Sequence, residues 1–328
     1  VYNHTYYSES CLERTVPGYW NRRWPNDMMT NGSGCGCDLA SERTMVRKYL
    51  VDSCVYWAKE YHIDGFRFDL MALHDVETMN AIRAALDALP RGEDILMYGE
   101  PWQGGSTRME HGAIPANKQA AGLLDSRIGF FCDNTRDAIK GGVFNAGSAG
   151  YINGDMHCGY QVLHSIPAWR GGQADFMPQA PGQVVQYVSA HDNYTLWDKL
   201  KCVARRGDYA APDADLLAQN RMAAGIYLTC QGLPFMQGGE EWGRTKHGDH
   251  NTYRGPLELN RLDWTRAAQL EELVQYYHGL LEIRKAYPEL SGMAGDAEPC
   301  ILSLPGWLIG FVPQGGRLAV YYNPERTR

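Results

Sequence analysis

The sequence has no excess of basic charge. Thirty-one Lys and Arg stand against 38 Asp and Glu, a formal net charge of −7. A protein that tracks phosphates carries surplus Lys and Arg, so nucleic acid is not the expected partner. There is also no run of about 18 apolar residues, which rules out a membrane-spanning helix by hydropathy. No glycine-rich loop follows an expected strand, so a nucleotide phosphate cradle is not expected. Cysteines are few and odd in number: Cys11, Cys35, Cys37, Cys54, Cys132, Cys158, Cys202, Cys230 and Cys300. Nine leave at least one unpaired within the chain and make no dense framework, which points to a reducing compartment and favours the cytoplasm. Cys35-Gly36-Cys37 has no second Cys/His pair at zinc spacing, so no zinc site is expected. There is no opening Met and no signal-like segment. Because the first residues read like the end of a buried strand, natural sequence is expected to be missing on the N-terminal side. Secretion therefore stays open.

What is present is a repeated unit: a short apolar strand, a polar residue at its end, a loop, then an amphipathic helix. Ser41 is placed to cap a helix running to about His62, with Val46, Tyr49, Leu50, Tyr56 and Trp57 near helical spacing. Ile63 to Asp69 reads as a strand ending in a carboxylate, followed by a helix over 76–88. Ile95 to Glu100 is a second strand ending in a carboxylate, and 123–132 is expected to hold another. Val184 to Ala190 ends in His191-Asp192; a helix over 216–229, a strand over 233–236 and a helix over 267–286 follow. Alternating strands and helices imply a parallel sheet with right-handed crossovers. Polar residues recurring at strand C-terminal ends fit a (β/α) barrel better than a doubly wound open sheet.

The tail reads differently. Runs over 300–304, 307–311 and 318–322, separated by Pro and Gly, predict the hairpins of a small sandwich. Residues 134–182 are rich in Gly, Ala, Ser and Gln and read as mostly long loop. The expected division is thus a catalytic barrel over 1–290 and the start of a β-sandwich over 291–328. The 20 Tyr and 9 Trp often sit beside Gly, Asn and Asp, as in loops that stack on flat ligands such as sugar rings; ordinary core packing is the competing reading.

Three carboxylates stand at inferred strand ends: Asp69, Glu100 and Asp192. In a barrel such ends ring one cavity. Glycoside hydrolysis needs a carboxylic acid to protonate the leaving oxygen and a carboxylate to attack the sugar or activate water. A third can steady the oxocarbenium-like transition state. Arg67, two residues before Asp69, points to the same side of the strand and would keep Asp69 ionised. His4 and His191 are placed to bond sugar hydroxyls, and Trp102, after Glu100-Pro101, to form a stacking wall.

These segments resemble the four sequence regions of the α-amylase superfamily, and specifically the type I pullulanases. Tyr2-Asn3-His4-Thr5 resembles the first, Gly65-Phe66-Arg67-Phe68-Asp69-Leu70-Met71 the second, Tyr98-Gly99-Glu100-Pro101-Trp102 the third and Val188-Ser189-Ala190-His191-Asp192-Asn193 the fourth. Asn31-Gly32-Ser33-Gly34-Cys35-Gly36 and the run from Gln231 through Gly238-Gly239-Glu240-Glu241 also match, though Cys37 stands where relatives usually carry Asn. The resemblance implies a (β/α)8 TIM barrel truncated at its N-terminus, with the first strands missing. It implies a retaining debranching hydrolase of α-1,6-glucosidic bonds, with Asp69 as nucleophile, Glu100 as general acid and Asp192 binding sugar hydroxyls. Tyr2, His4, Arg67, Leu70, Trp102, His191 and Asn193 would contact substrate. Isoamylase, glycogen debranching enzyme and an α-1,4-acting amylase are the alternatives within the superfamily. The partner is an α-glucan, with no nucleic acid and no membrane. No cofactor is required, although Ca²⁺ is compatible with the family and Asn3 is a candidate ligand. A barrel without its first strands has an open edge, so this chain alone is expected to be poorly stable and weakly active or inactive.

Overall fold

The computed structural model describes residues 6, 10–110, 112–173, 175–293 and 298–325. The chain divides into two compact units, Val1–Phe131 with Arg170–Gln183, and Cys132–Trp169 with Val184–Arg328.

In the first unit a short helix, α1 (Cys11–Thr15), is capped by Ser10, whose hydroxyl accepts from the Glu13 amide. Helix α2 (Thr44–Tyr61) buries Val46, Leu50, Cys54 and Ala58, four apart along one face. It leads into strand β1 (Gly65–Phe68). Helix α3 (Val76–Asp87) buries Val76, Met79, Ile82 and Leu86 and packs on α2. Strands β2 (Leu96–Gly99) and β3 (Ile128–Phe131) complete a parallel sheet in the order β1-β2-β3, with Phe68 opposite Gly99 and Gly99 opposite Phe130. Each strand is shorter than its apolar run suggested, so Asp69 and Glu100 fall one residue beyond their strands. Ser41 does not cap α2. Arg43 takes that position without a side-chain bond, and the Ser41 hydroxyl instead donates to Asp75 at 2.6 Å. Asp75 is itself the N-cap of α3, so a buried serine ties one helix entrance to the next.

The second unit opens with α4 (Asp133–Lys140) and α5 (Gly159–Ser165), in a stretch that the sequence suggested was mostly loop. Ile139, Tyr151, Val162, Ile166 and Trp169 there are fully buried, and the Tyr151 hydroxyl donates to the Trp307 carbonyl at 2.6 Å. The small residues between them hide this core because they break any regular hydrophobic period. Strand β4 (Val184–Gln186) is followed by α6 (Leu196–Val203), whose N-cap Thr195 accepts from the Asp198 amide. Helix α7 (Ala214–Thr229) leads to β5 (Leu233–Pro234), parallel to β4 with Val185 opposite Leu233. Two short helices, α8 (Leu257–Asn260) and α9 (Trp264–Gln269), precede α10 (Glu271–Ala286), which packs on α7 through Leu273, Tyr277 and Leu280. The expected helix over 267–286 is therefore two, because the Asp263 side chain starts a separate turn. The expected hairpins are present as one antiparallel sheet, β6 (Cys300–Ile301), β7 (Ile309–Val312) and β8 (Val320–Tyr322). A sandwich needs a second such sheet, and none occurs among the described residues.

Among the described residues no helix is long and apolar enough to cross a membrane. Among the described residues no two cysteines form a disulfide.

Candidate active site

In the first unit the site is built on the ends of three adjacent strands. Arg67 lies on β1 and Asp69 just past it; Glu100 follows β2, and Phe131 closes β3. Gly99 lets β1 and β2 close up at this level. A Cβ there would meet the Phe68 carbonyl oxygen at 2.7 Å and the Met71 side chain at 2.8 Å. With the strands this close, the Glu100 amide donates to the Phe68 carbonyl at 3.0 Å.

The guanidinium of Arg67 joins the two carboxylates. One terminal nitrogen pairs with Asp69 Oδ1, and the other donates to Glu100 Oε1 at 2.5 Å. A carboxylate oxygen of Asp69 and one of Glu100 lie within 4.8 Å of each other. The planar cation sits over the Phe131 ring at 5.6 Å, and Tyr98 meets that ring edge-on at 5.6 Å. Glu100 is buried, with 5% of its surface exposed, while Asp69 is half-buried. Its second oxygen, Oε2, accepts from the Leu70 amide at 2.8 Å. Leu70 has φ 44°, a left-handed conformation that a bulky residue rarely adopts. The sequence placed Arg67 and Asp69 on one side of a strand, and they form an ion pair. The bridge from Arg67 on to Glu100 depends on strand register and was not legible. Trp102 stands half-buried two residues beyond Glu100.

The second unit carries His191, Asp192 and Asn193 on the segment that leaves β4. His191 and Asp192 are exposed, with His191 Nε2 3.5 Å from Asp192 Oδ1. Asn193 has φ 63°. Asp69 and Asp192 thus share a local design: each is followed by a residue in the left-handed region, which turns the chain away immediately after the carboxylate. Tyr2, Asn3 and His4 lie outside the described residues.

Three residues given no role by the sequence support this segment from behind. Glu240 accepts from the Ser189 hydroxyl, Gln237 donates to the Ala190 carbonyl and Lys246 donates to the His191 carbonyl. Burial pushes the Glu240 carboxyl up to about 7, against the bonds from Ser189, Tyr227 and Tyr277 and the nearby charge of Lys140, which pull it down. The available signal was the run Gly238-Gly239-Glu240-Glu241 just past a strand, in which Gly239 has φ 95°.

No family model matches the chain. It is 39% identical over 298 residues to a pullulanase of Bacillus subtilis strain 168, an alignment covering 88% of this chain and 39% of that protein. A solved pullulanase from Bacillus acidopullulyticus superposes with a TM-score of 0.87 at 35% identity, over 96% of this chain and 38% of that one. A pullulanase mutant from Paenibacillus barengoltzii, solved as a complex with maltotetraose, gives a TM-score of 0.85 at 36% identity, over 95% of this chain and 49% of that one. The chain therefore spans less than half the length of these relatives. In sequence and in fold, it is similar to the pullulanases.

Proposed function

We propose that this chain carries the catalytic centre of a glycoside hydrolase that cleaves α-1,6-glucosidic bonds in branched α-glucans with retention of configuration. The observation that carries the reading is the pair Asp69 and Glu100, with oxygens within 4.8 Å and one guanidinium between them. Retaining glycosidases hold their two carboxyl groups roughly 5–5.5 Å apart, while inverting ones leave about 6.5–9.5 Å for a water. The α-1,6 preference rests on the likeness to pullulanases.

Asp69, paired with Arg67, attacks the anomeric carbon. The bond to the leaving oxygen breaks as Glu100 gives that oxygen its proton, leaving a glycosyl ester on Asp69. Water then gives a proton to Glu100 and attacks the same carbon, freeing Asp69. Both Glu100 oxygens are held by N–H donors, Oε1 by Arg67 and Oε2 by the Leu70 amide. Asp192, with His191 and Asn193, is assigned the binding of sugar hydroxyls. Tyr2, His4, Leu70 and Trp102 are assigned to the substrate walls. The fold that goes with this reading is a (β/α)8 barrel through residue 290, lacking its first strands, with residues 291–328 beginning a β-sandwich. No cofactor takes part in these steps, and cysteines without disulfides among the described residues favour a reducing compartment.

Pullulan hydrolysis with product sizing tests the reading, with Asp69→Asn as control. Maltotriose released by the parent and lost in the variant is the expected result. Release of short products from amylose, with pullulan untouched, would move the enzyme to α-1,4 bonds.

A further inference from the structure

Strand β4 ends at Gln186, so the backbone groups of residues 189–191, which lead to Asp192, have no sheet ladder to satisfy them. Side chains from one stretch beyond β5 hold the segment instead, two through its backbone carbonyls and one through the Ser189 hydroxyl. The Ser189 hydroxyl donates to Glu240 Oε2 at 2.5 Å. The Ala190 carbonyl accepts from Gln237 Nε2 at 2.5 Å, and the His191 carbonyl accepts from the Lys246 ammonium at 3.2 Å. Glu240, Gln237 and Lys246 are 2%, 7% and 4% exposed.

Each support is itself fixed. Glu240 Oε1 accepts from the hydroxyls of Tyr227 on α7 at 2.9 Å and Tyr277 on α10 at 3.2 Å. Lys246 also donates to Thr252 at 2.8 Å, and its backbone amide donates to Asp198, on α6, at 2.7 Å. Burying a carboxylate and an ammonium is costly where apolar side chains would fill the same space. Both are spent on one exposed turn. The side chains of His191 and Asp192 are exposed, while the segment that carries them is held from behind by buried polar groups.

We infer that Gln237, Glu240 and Lys246 are positioning residues, which fix the main chain of residues 189–191 so that His191 and Asp192 are presented to the sugar. The inference rests on the reading of Asp192 as a sugar-binding carboxylate. The hydroxyl of Ser189 and the amide of Gln237 are the two links that can be cut without removing a buried charge.

Ser189→Ala and Gln237→Leu test it, with Ser189→Thr as the conservative rescue. On pullulan, each of the first two lowers kcat about tenfold to a hundredfold with KM little changed, as expected when a reacting geometry loosens by a fraction of an ångström. Ser189→Thr restores most of the rate. Melting temperatures are read alongside, because a purely structural role would lower them while leaving kcat intact. A second readout is independent of activity: the His191 imidazole resonances, assigned by His191→Gln, shift or broaden in Ser189→Ala and Gln237→Leu while those of His157 do not. Parent-like kcat and an unchanged His191 spectrum in both variants would overturn the inference. A parent protein that is folded by circular dichroism yet inert on pullulan would instead sink the functional reading, and the His191 spectra would still decide whether these residues hold the turn.

Discussion

The backbone amide of Leu70, the residue after Asp69, donates to Glu100 Oε2 at 2.8 Å. One carboxylate is thereby tied to the main chain that carries the other. The bond requires Leu70 at φ 44°. That conformation costs about 1–2 kcal/mol for an L-residue, and a hydrogen bond to a charged group contributes about 1.5–3 kcal/mol. The strain is therefore offset locally, and Asp69 and Glu100 behave as one rigid pair.

Arg67 completes that pair, and a lysine cannot replace its fork. Arg67→Lys keeps the charge but reaches one carboxylate at a time. Losing one charge-assisted bond of about 1.5–3 kcal/mol corresponds to roughly a 10- to 150-fold fall in kcat/KM. Steady-state kinetics on pullulan checks this, and a change under threefold would show that bridging both carboxylates is unimportant.

Asn193 sits at φ 63° directly after Asp192. Asn tolerates this region and Gly has no Cβ to oppose it, whereas Ala does. Asn193→Ala is expected to lower unfolding free energy by about 1 kcal/mol, and Asn193→Gly to leave it nearly unchanged. Urea midpoints measure both; equal effects of the two substitutions would remove the backbone explanation.

The carboxyl of Glu240, raised by burial from 4.5 to about 7, links stability to pH. The folded state holds this proton more tightly than the unfolded chain does. Its stabilising contribution is full below pH 4.5 and is lost as pH rises through about 7, which amounts to about 3 kcal/mol. Wild-type stability should fall across this window, and Glu240→Gln should flatten the fall. Chemical denaturation at pH 5, 6, 7 and 8 gives the comparison, and parallel profiles for the two proteins would contradict it.

His74 acts in the opposite sense. It is buried, and its Nδ1 has no hydrogen-bond partner among the described residues. Burial first, and then the charge of Arg22, push its imidazolium down to about 4 from 6.5. The folded state binds this proton less well than the unfolded chain. Its contribution is full above pH 6.5 and is lost as pH falls through about 4, again by about 3 kcal/mol. In an NMR titration the His74 imidazole should stay neutral at pH 5; protonation near 6.5 would show that the site is wetter than the structure.

The sequence alone determined where the candidate carboxylates stand. Short apolar runs that stop at Asp69 and Glu100 are strands whose ends must be polar, and the spacing of Arg67 to Asp69 dictates a shared face. Helix α3 and the short apolar runs of the tail were equally legible, because hydrophobic patterning is a local property of the chain. Only the tertiary structure decided the partners of polar groups. Nothing near Ser41 indicates that it bonds Asp75 instead of capping α2, and nothing near Ser189 points to a carboxylate 51 residues later. Helices α4 and α5 escaped for a related reason: they are only eight and seven residues long, and the buried Tyr151 and Trp169 of the same core lie outside them. A hydrogen bond needs a donor and an acceptor a few ångströms apart, and which distant pair meets that condition is set by strand register and helix packing.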